Sequence, residues 1–168
     1  MLDIKLTLCA GVSEQCGAAR GIIMKYTALA AALLILPAAG VAAAETQRAV
    51  YAHVGGTVLQ IELEDNSSAH GLVELLSKGD VTVAMEDYGN FEKTGELGST
   101  LPTNDVRFTT GPGDVILYLG RKIVIYYDTN TWSFTKLGKV QGKSQGELKR
   151  ILGTGDVEVV FSLSPARK

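Results

Sequence analysis

Residues 110–140 constrain the fold more than any other part of the chain. Two runs of apolar and β-branched residues, 115–119 and 123–127, are separated by Gly120 and two charged residues, and Trp132 follows them. Short apolar runs bounded by turn glycines are typical of buried β-strands. The segment therefore predicts strand, tight turn, strand, loop and strand in the wall of a closed antiparallel sheet.

The N-terminal segment has the composition of a secretory signal peptide. Lys25 supplies one positive charge before an apolar run over residues 28–36, and three alanines end at residue 44. The run is short for a bilayer span, which needs about 20 residues, and the alanines form an A-x-A cleavage site. We therefore predict a signal peptide over 24–44, preceded by an overextended start or long n-region over 1–23. A retained membrane anchor is the alternative.

Cleavage after residue 44 predicts a secreted or periplasmic chain with no membrane attachment. Both cysteines, Cys9 and Cys16, fall in the removed part, which excludes disulfides, a thiolate nucleophile and a cysteine metal site. Thirteen basic and sixteen acidic residues remain, and this balance without a basic patch argues against nucleic acid as a partner. His53 and His70 lack partners at metal-ligand spacing, so we expect both at the surface and predict no metal or other cofactor.

The remaining chain consists of two similar halves. Residues 58–64 alternate apolar and polar side chains, and a helix-start signal over 65–68 then precedes leucines at helical spacing. The same order recurs 76 positions later, where a cap, a short amphipathic helix and a Gly-Asp-Val strand opening return. Eight positions match at this spacing: Ser68, Leu72, Leu75, Leu76, Gly79, Asp80, Val81 and Val83 against Ser144, Leu148, Ile151, Leu152, Gly155, Asp156, Val157 and Val159.

These elements predict an α+β fold that is mainly β. We expect a closed antiparallel β-barrel of about eight strands, with two short helices covering its ends. Closure of the sheet also removes exposed strand edges, which suits a secreted domain. We predict residues 57–164 as the barrel domain and residues 45–56 as a flexible leader or a first edge strand.

Several short motifs resemble those of cyclophilins. Thr110-Gly-Pro-Gly before a strand, Trp132 in a loop and Leu137-Gly-Lys-Val before the second helix follow the order of the second half of that family. The chain is still more similar to small bacterial cyclophilin-like proteins of uncharacterised function, over roughly residues 57–163. The further motifs that carry this likeness are Asp65-Asn66, Glu86-Asp87-Tyr88-Gly89, Leu101-Pro102-Thr103-Asn104-Asp105 and Gly111-Pro112-Gly113-Asp114. The resemblance implies the cyclophilin-like barrel.

The resemblance does not carry an activity with it. True cyclophilins are prolyl isomerases whose pocket contains an F-H-R strand motif and a Q-G-G stretch, and neither motif occurs in this sequence. Arg107, beside Phe108 on an expected strand, is the candidate for the isomerase arginine. Trp132 stands where the family places a ligand-contacting tryptophan. A divergent prolyl isomerase is therefore an alternative function rather than the preferred one.

The irregular region around residues 88–111 is the expected location of a site, because long irregular segments in compact domains tend to be functional. If Val83 and Met85 face the core, strand alternation turns Glu86 and Tyr88 outward. Carboxylates beside aromatic rings can hold a small molecule or do acid–base work, although a solvated strand end is the ordinary interpretation. We predict a groove for a small ligand or peptide, lined by Glu86, Tyr88, Phe91, Glu92, Arg107 and Trp132. A structural domain without a ligand is the other alternative.

Overall fold

The computed structural model describes residues 47–166, and the predicted signal peptide, the long start and both cysteines lie outside them. Within this range the chain forms nine strands and two helices. The elements are β1 (Ala49–Val54), β2 (Thr57–Leu63), α1 (Ser67–Ser77), β3 (Val81–Tyr88), β4 (Glu92–Glu96), β5 (Val106–Thr109), β6 (Asp114–Tyr118), β7 (Lys122–Tyr126), β8 (Thr131–Val140), α2 (Gln145–Leu152) and β9 (Val157–Ser162). Neither of these helices has the length and apolar character needed to span a bilayer.

Eight of the described strands close into an antiparallel barrel. Their order around the wall is β2-β1-β9-β3-β4-β7-β6-β8, and pairing of β8 with β2 completes the ring. At this seam Gly138 lies opposite Leu63, and a Cβ atom at position 138 would collide with the backbone oxygen of Glu62. The glycine of the Leu-Gly-Lys-Val motif therefore allows the close approach that closes the barrel. The predicted α+β barrel of about eight strands is confirmed.

Among residues 47–166, β5 is the one strand outside the ring. It pairs with the first four residues of β8, from Thr131 to Phe134, whereas the rest of β8 pairs with β6 and β2. A register shift in the β6–β8 pairing lies between Val115 and Ile116. Phe108 of β5 packs edge-on against Phe134 at a centroid distance of 5.9 Å. The β5–β8 pair thus supplies aromatic side chains to the outer face of the barrel.

The helices close the barrel by adding side chains to its core. Leu72 and Leu76 of α1 and Leu148 and Leu152 of α2 are buried in the same apolar cluster as the inward-facing strand residues. Asn66 accepts a hydrogen bond from the backbone N–H of Ala69 at the start of α1, and α2 begins with a capping box. Both helix starts lie where the sequence pattern predicted them.

The internal repeat of 76 positions is visible in the strand pairing. Val83 of β3 pairs with Val159 of β9, which is its own counterpart in the repeat. The seam between β2 and β8 obeys the same relation, with the pairs Glu62–Lys139 and Leu63–Gly138. In the repeat, Glu62 corresponds to Gly138 and Leu63 corresponds to Lys139, so exchange of the two halves converts one of these two seam pairs into the other. The repeat therefore reflects an approximate two-fold relation between two strand–helix–strand units.

Of the two possibilities predicted for residues 45–56, a flexible leader and a first edge strand, the structure has a strand, but this strand does not lie at an edge. Residues 49–54 form β1, which pairs with β2 on one side and with β9 on the other. Val50 and Ala52 are fully buried because alternate residues of β1 face the barrel interior.

His53 also differs from the surface position expected of it. It is only 5% exposed, and its Nε2 lies 2.8 Å from the hydroxyl of Ser162 on the neighbouring strand β9. His70 is exposed, as predicted, and its Nε2 lies 3.3 Å from a carboxylate oxygen of Asp65. The burial of His53 follows from the incorporation of β1 into the barrel wall.

Candidate functional site

A pocket of about 330 Å³ opens on the outer face of the barrel, and we call it the outer pocket. Its walls come from β3, β4, β6, β7 and β8, with one residue from the loop before β8. The residues that line it are Tyr88, Glu92, Thr94, Tyr118, Lys122, Val124, Tyr126, Asn130, Trp132 and Phe134. Most of them are aromatic or apolar, with a few polar groups among them, which is the usual composition of a small-molecule site.

Strand alternation explains why these side chains share one face. On β4, Glu92 and Thr94 line the outer pocket while Lys93 between them is fully buried on the other side. On β7, Val124 and Tyr126 line the pocket while the isoleucines beside them belong to the barrel core. Glu92 pairs directly with Tyr126 across these two strands, so their side chains stand next to each other.

Aromatic rings form the apolar part of the outer pocket. Tyr126 and Phe134 are buried, with ring centroids 5.8 Å apart, and Phe91 stacks on Tyr126 at 6.1 Å. Trp132 and Tyr88 are 57% and 62% exposed. The pocket therefore has a packed aromatic floor and two aromatic side chains that remain open to solvent.

Tyr126 and Tyr127 are adjacent in sequence and point to opposite sides of the barrel wall. Tyr126 belongs to the outer cluster, together with Ile116, Val124 and Phe134. Tyr127 belongs to the barrel core instead, and its hydroxyl donates a hydrogen bond to Asp87 over 2.6 Å.

Glu92 is the chemically unusual residue of the outer pocket. Its side chain is 9% exposed, and Oε2 has no hydrogen-bond partner among residues 47–166. Burial raises the pKa of the Glu92 carboxyl group, and the neighbouring Tyr126 hydroxyl counteracts part of that rise. A buried carboxyl oxygen without a partner is rare in folded proteins and is energetically unfavourable. The pocket can therefore accept a hydrogen bond from a ligand at Glu92.

Tyr126 stays a neutral hydrogen-bonding group beside this carboxyl. Burial and the adjacent Glu92 carboxylate both raise the pKa of Tyr126 far above its ordinary value. The side-chain amide of Asn130 donates to the Tyr126 hydroxyl over 3.3 Å. The phenol is thus held in place and is not a candidate for a base.

An ion pair lies directly behind Glu92, on the inner side of β4. The Lys93 ammonium is fully buried, 2.6 Å from Oδ2 of Asp87, and it also donates to the backbone oxygen of Gly155. Hydrogen bonds from Lys93 and Tyr127 lower the pKa of Asp87, so this carboxylate is ionised at neutral pH. The network fixes the hairpin of β3 and β4, which carries Tyr88 and Glu92 into the pocket.

A second depression continues from the outer pocket along β3, β4 and β7. It contains Glu86 and Glu96, and it shares Thr94 and Lys122 with the outer pocket. The Lys122 ammonium lies 3.7 Å from a carboxylate oxygen of Glu96. The two depressions together form one elongated surface, which we call the outer groove.

The structure separates the six residues predicted for the site into three groups. Tyr88, Glu92 and Trp132 line the outer pocket. Phe91 packs beside it on Tyr126, and Glu86 lies in the adjoining depression.

Arg107 is placed apart from the other five. It is exposed on β5, opposite Ser133, and does not line the outer pocket. The three acidic residues of this region are likewise divided, because Asp87 turns to Lys93 on the inner side while Glu86 and Glu92 face outward.

Several lining residues were missed by reasoning from sequence. Tyr118 and Tyr126 carried a signal, because each alternates with apolar residues on a predicted strand and therefore belongs to one definite face. No pattern in the sequence indicated that Thr94, Lys122 or Asn130 would line the pocket. Their position depends on the register of β4 against β7 and on the loop before β8, which the sequence pattern does not specify.

The central irregular region is anchored rather than open. The Asn104 amide donates to the hydroxyls of Ser67 and Ser68 over 2.8 and 2.7 Å, and Ser68 donates to the backbone oxygen of Pro102. The backbone N–H of Asn104 donates to Thr135 on β8. The Leu-Pro-Thr-Asn-Asp motif thus ties this segment to α1 and β8 and contributes no side chain to the outer pocket.

The Gly-Pro-Gly-Asp motif has a structural role. It forms a tight turn in which Oδ2 of Asp114 accepts from the backbone N–H of Gly111. Asp114 also lies within 3.6 Å of Lys136 and Lys139. Across residues 47–166, no three His, Cys, Asp or Glu side chains come together in a way that could hold a metal ion.

Two comparisons with known proteins bear on the fold. The sequence profile of the cyclophilin-like family matches residues 52–162. The structure is similar to the solution structure of the hypothetical protein AF2241 from Archaeoglobus fulgidus, at a TM-score of 0.50 and 12% identity, over 70% of this chain and 95% of that chain. At this identity the likeness concerns the fold alone. No curated protein matches the sequence.

Proposed function

We propose that this chain, which belongs to the cyclophilin-like family, is a binding module that takes a small molecule or a peptide side chain in its outer pocket. The observation that carries the proposal is the buried Glu92 carboxyl group, which lines an aromatic pocket and has one oxygen without a hydrogen-bond partner among residues 47–166. A ligand that donates a hydrogen bond there would relieve an unfavourable buried group. Its apolar part would gain contact with the rings around it.

The unpartnered Glu92 oxygen and the exposed aromatic side chains favour a binding role over a purely structural one. An unpartnered buried oxygen destabilises a fold by about 1–3 kcal/mol, whereas an apolar side chain at the same place would not. Two large aromatic side chains, Trp132 and Tyr88, are also held more than half exposed beside the pocket. Features that reduce stability and solubility together are expected where a surface serves recognition.

Intrinsic fluorescence offers a direct test, because Trp132 is the single tryptophan of the chain. Short peptides, sugars, small acids and small amines would be titrated against the protein while Trp132 emission is followed. We expect at least one class to change the emission saturably. Thr94→Arg, which places a long side chain in the outer groove, should abolish the response. The control is Thr82→Arg, at an exposed position of β3 that lines neither depression of the groove.

If no class changes Trp132 emission, or if Thr94→Arg responds as the unaltered protein does, the outer pocket is not the binding site. A domain with a structural role would then be the better description.

A divergent prolyl isomerase has weaker support. In the described residues no arginine lines the outer pocket, and Arg107 is exposed on β5. Trp132 does line the pocket, as the resemblance to cyclophilins implied for a ligand-contacting residue. A coupled proline-peptide assay decides the matter, with Arg107→Ala as control. A rate equal to that of buffer alone would end this alternative.

Export is a further part of the proposal, and it rests on the signal-like segment over residues 24–44. Expression of the full-length gene in a bacterium, followed by mass spectrometry of the recovered protein, tests it. We expect a periplasmic or secreted chain that begins at Glu45. A full-length product retained with the cytoplasm or the membrane would contradict export.

A further inference from the structure

The charges of the outer groove point to the sign of its ligand. Within residues 47–166, three carboxylates line the groove against one basic side chain, Lys122, and they belong to Glu86, Glu92 and Glu96. Glu96 lies 3.7 Å from the Lys122 ammonium and offsets its charge. The groove therefore keeps an excess of negative charge, and the oxygen without a partner belongs to the most buried of its carboxylates.

The surroundings of Glu92 favour a cationic ligand over a neutral or an anionic one. A carboxylate among aromatic rings loses much of its hydration, and an opposite charge in hydrogen-bond contact compensates that loss better than a neutral donor does. The faces of Tyr and Trp rings also attract cations, with Trp the strongest. Tyr88, Tyr118 and Trp132 line the same pocket as Glu92. An anionic ligand would be repelled by the Glu92 carboxylate and by the faces of the aromatic rings.

We propose that the outer pocket recognises a protonated amine, whose ammonium group docks on the Glu92 carboxylate while its apolar stem lies against Trp132 and Tyr118. The inference rests on the proposed binding function and assigns the ligand class of the same site. A free alkylamine and a lysine side chain of a peptide share this chemistry. The pocket volume of about 330 Å³ suits either of them.

The affinity of the outer pocket for an amine should depend on pH in one direction. Burial raises the pKa of Glu92, and a docked ammonium would lower it again, because the cation binds the ionised carboxylate. Affinity for an amine should therefore rise with pH as Glu92 ionises. The other titratable groups in the pocket are Tyr88 from β3, Tyr118 from β6, and Lys122 and Tyr126 from β7.

Three probes with one stem separate charge from apolar contact: n-hexylamine, 1-hexanol and hexanoate. Each would be titrated at several pH values between 4 and 8 while Trp132 emission is followed, with the full-length or mature protein and with Glu92→Gln. We expect n-hexylamine to bind at least about tenfold more tightly than 1-hexanol at pH 8, which is the margin of a hydrogen bond to a charged group. Glu92→Gln should remove both this preference and its rise with pH.

Two capped tripeptides distinguish the sources of the ammonium group. One carries a central lysine and the other a central norleucine, between glycines. Tighter binding of the lysine peptide than of n-hexylamine assigns the pocket to a peptide ligand, and the reverse order assigns it to a free amine. Both results support recognition of an ammonium group.

The inference can fail separately from the proposed function. If 1-hexanol or hexanoate binds as tightly as n-hexylamine, or if Glu92→Gln keeps the preference for the amine, the pocket binds ligands but does not select a cation. If none of the probes changes Trp132 emission and the wider screen is also negative, both proposals are overturned. Correct folding of Glu92→Gln would be checked by circular dichroism before these comparisons.

Discussion

Asp87 and Lys93 face each other across the β3–β4 hairpin, with the Lys93 ammonium nitrogen 2.6 Å from Oδ2 of Asp87. The lysine is fully buried, whereas the aspartate side chain keeps 17% of its surface exposed. The residue before Lys93 is Glu92, which faces the outer pocket. One short strand thus carries an ion pair on its inner side and, on its outer side, a carboxyl group with one oxygen that has no partner among residues 47–166.

Because Lys93 is fully buried and Asp87 is partly exposed, replacing Asp87 should destabilise the protein more than replacing Lys93. Asp87→Asn leaves a buried ammonium without its counter-charge and should lower the free energy of unfolding by about 3–5 kcal/mol. Lys93→Met leaves a partly exposed carboxylate that still accepts from Tyr127 and from the backbone of Asn90. It should therefore lower the free energy of unfolding by less than Asp87→Asn does. The double variant should recover most of the loss from Asp87→Asn. Urea unfolding of the four proteins measures this cycle.

The same pair makes a prediction about acid. The pKa of Asp87 is lowered on folding, so its contribution to stability is present above the ordinary value of 3.8 and is lost as the pH falls through the folded-state pKa. The gap between the unaltered protein and Asp87→Asn should therefore shrink in strong acid. A gap that stays constant from pH 7 to pH 2 would contradict the assignment of Lys93 to this carboxylate.

Glu92 predicts the opposite pH behaviour. Its pKa is raised above 4.5 in the folded protein, so the stability associated with its neutral form is present at low pH and is lost as the pH rises through the folded-state pKa. Glu92→Gln cannot ionise and should be more stable than the unaltered protein at pH 8, by about 1 kcal/mol. At pH 3 the two should be alike. Thermal unfolding across this range measures the difference.

Glu86→Gln is the matched control for that experiment. Glu86 is exposed on the adjoining strand, and substitutions at such positions usually change stability by less than about 0.5 kcal/mol. Equal stabilisation by Glu86→Gln and Glu92→Gln at pH 8 would show a general charge effect instead of a buried carboxyl group in the outer pocket.

Gly138 predicts how strongly the barrel depends on its seam. A Cβ atom at this position would meet the backbone of Glu62 on β2, which cannot move without disturbing the closing strand pair. Gly138→Ala should therefore destabilise the protein by about 2 kcal/mol or more. Gly146→Ala is the control, because this glycine lies in α2 with open space around it and alanine favours helix. If both variants unfold at the same denaturant concentration, the seam is not closely packed.

Much of the fold could be predicted from sequence because it follows local patterns. Alternation and turn glycines identified the strands around residues 110–140, and the 76-residue repeat located both helices. β1 was predicted only as an edge-strand alternative to a flexible leader, because its pattern over 49–54 is short and mixed and its burial depends on pairing with β2 and with the distant β9. The buried position of His53 has the same cause.

The site could be predicted only in part for a related physical reason. Outward orientation of Tyr88 follows from the period of β3, and Trp132 followed from the resemblance to cyclophilins. Glu92 was predicted as a residue of the groove, but its separation from Asp87 depends on which residues of β4 face outward. Its contact with Tyr126 depends on the cross-strand register with β7. Arg107 was proposed from its neighbours in sequence, whereas its position on β5 separates it from the pocket.

Chemical-shift mapping of a labelled sample is the most direct test of the outer pocket as the ligand site. Two-dimensional ¹H–¹⁵N spectra would be recorded with n-hexylamine and with 1-hexanol, for the unaltered protein and for Thr94→Arg. We predict saturable shifts at the Trp132 indole and at the amides of Glu92, Thr94 and Lys122, all absent in Thr94→Arg. Saturable shifts that map elsewhere on the barrel, or that persist in Thr94→Arg, would contradict this account.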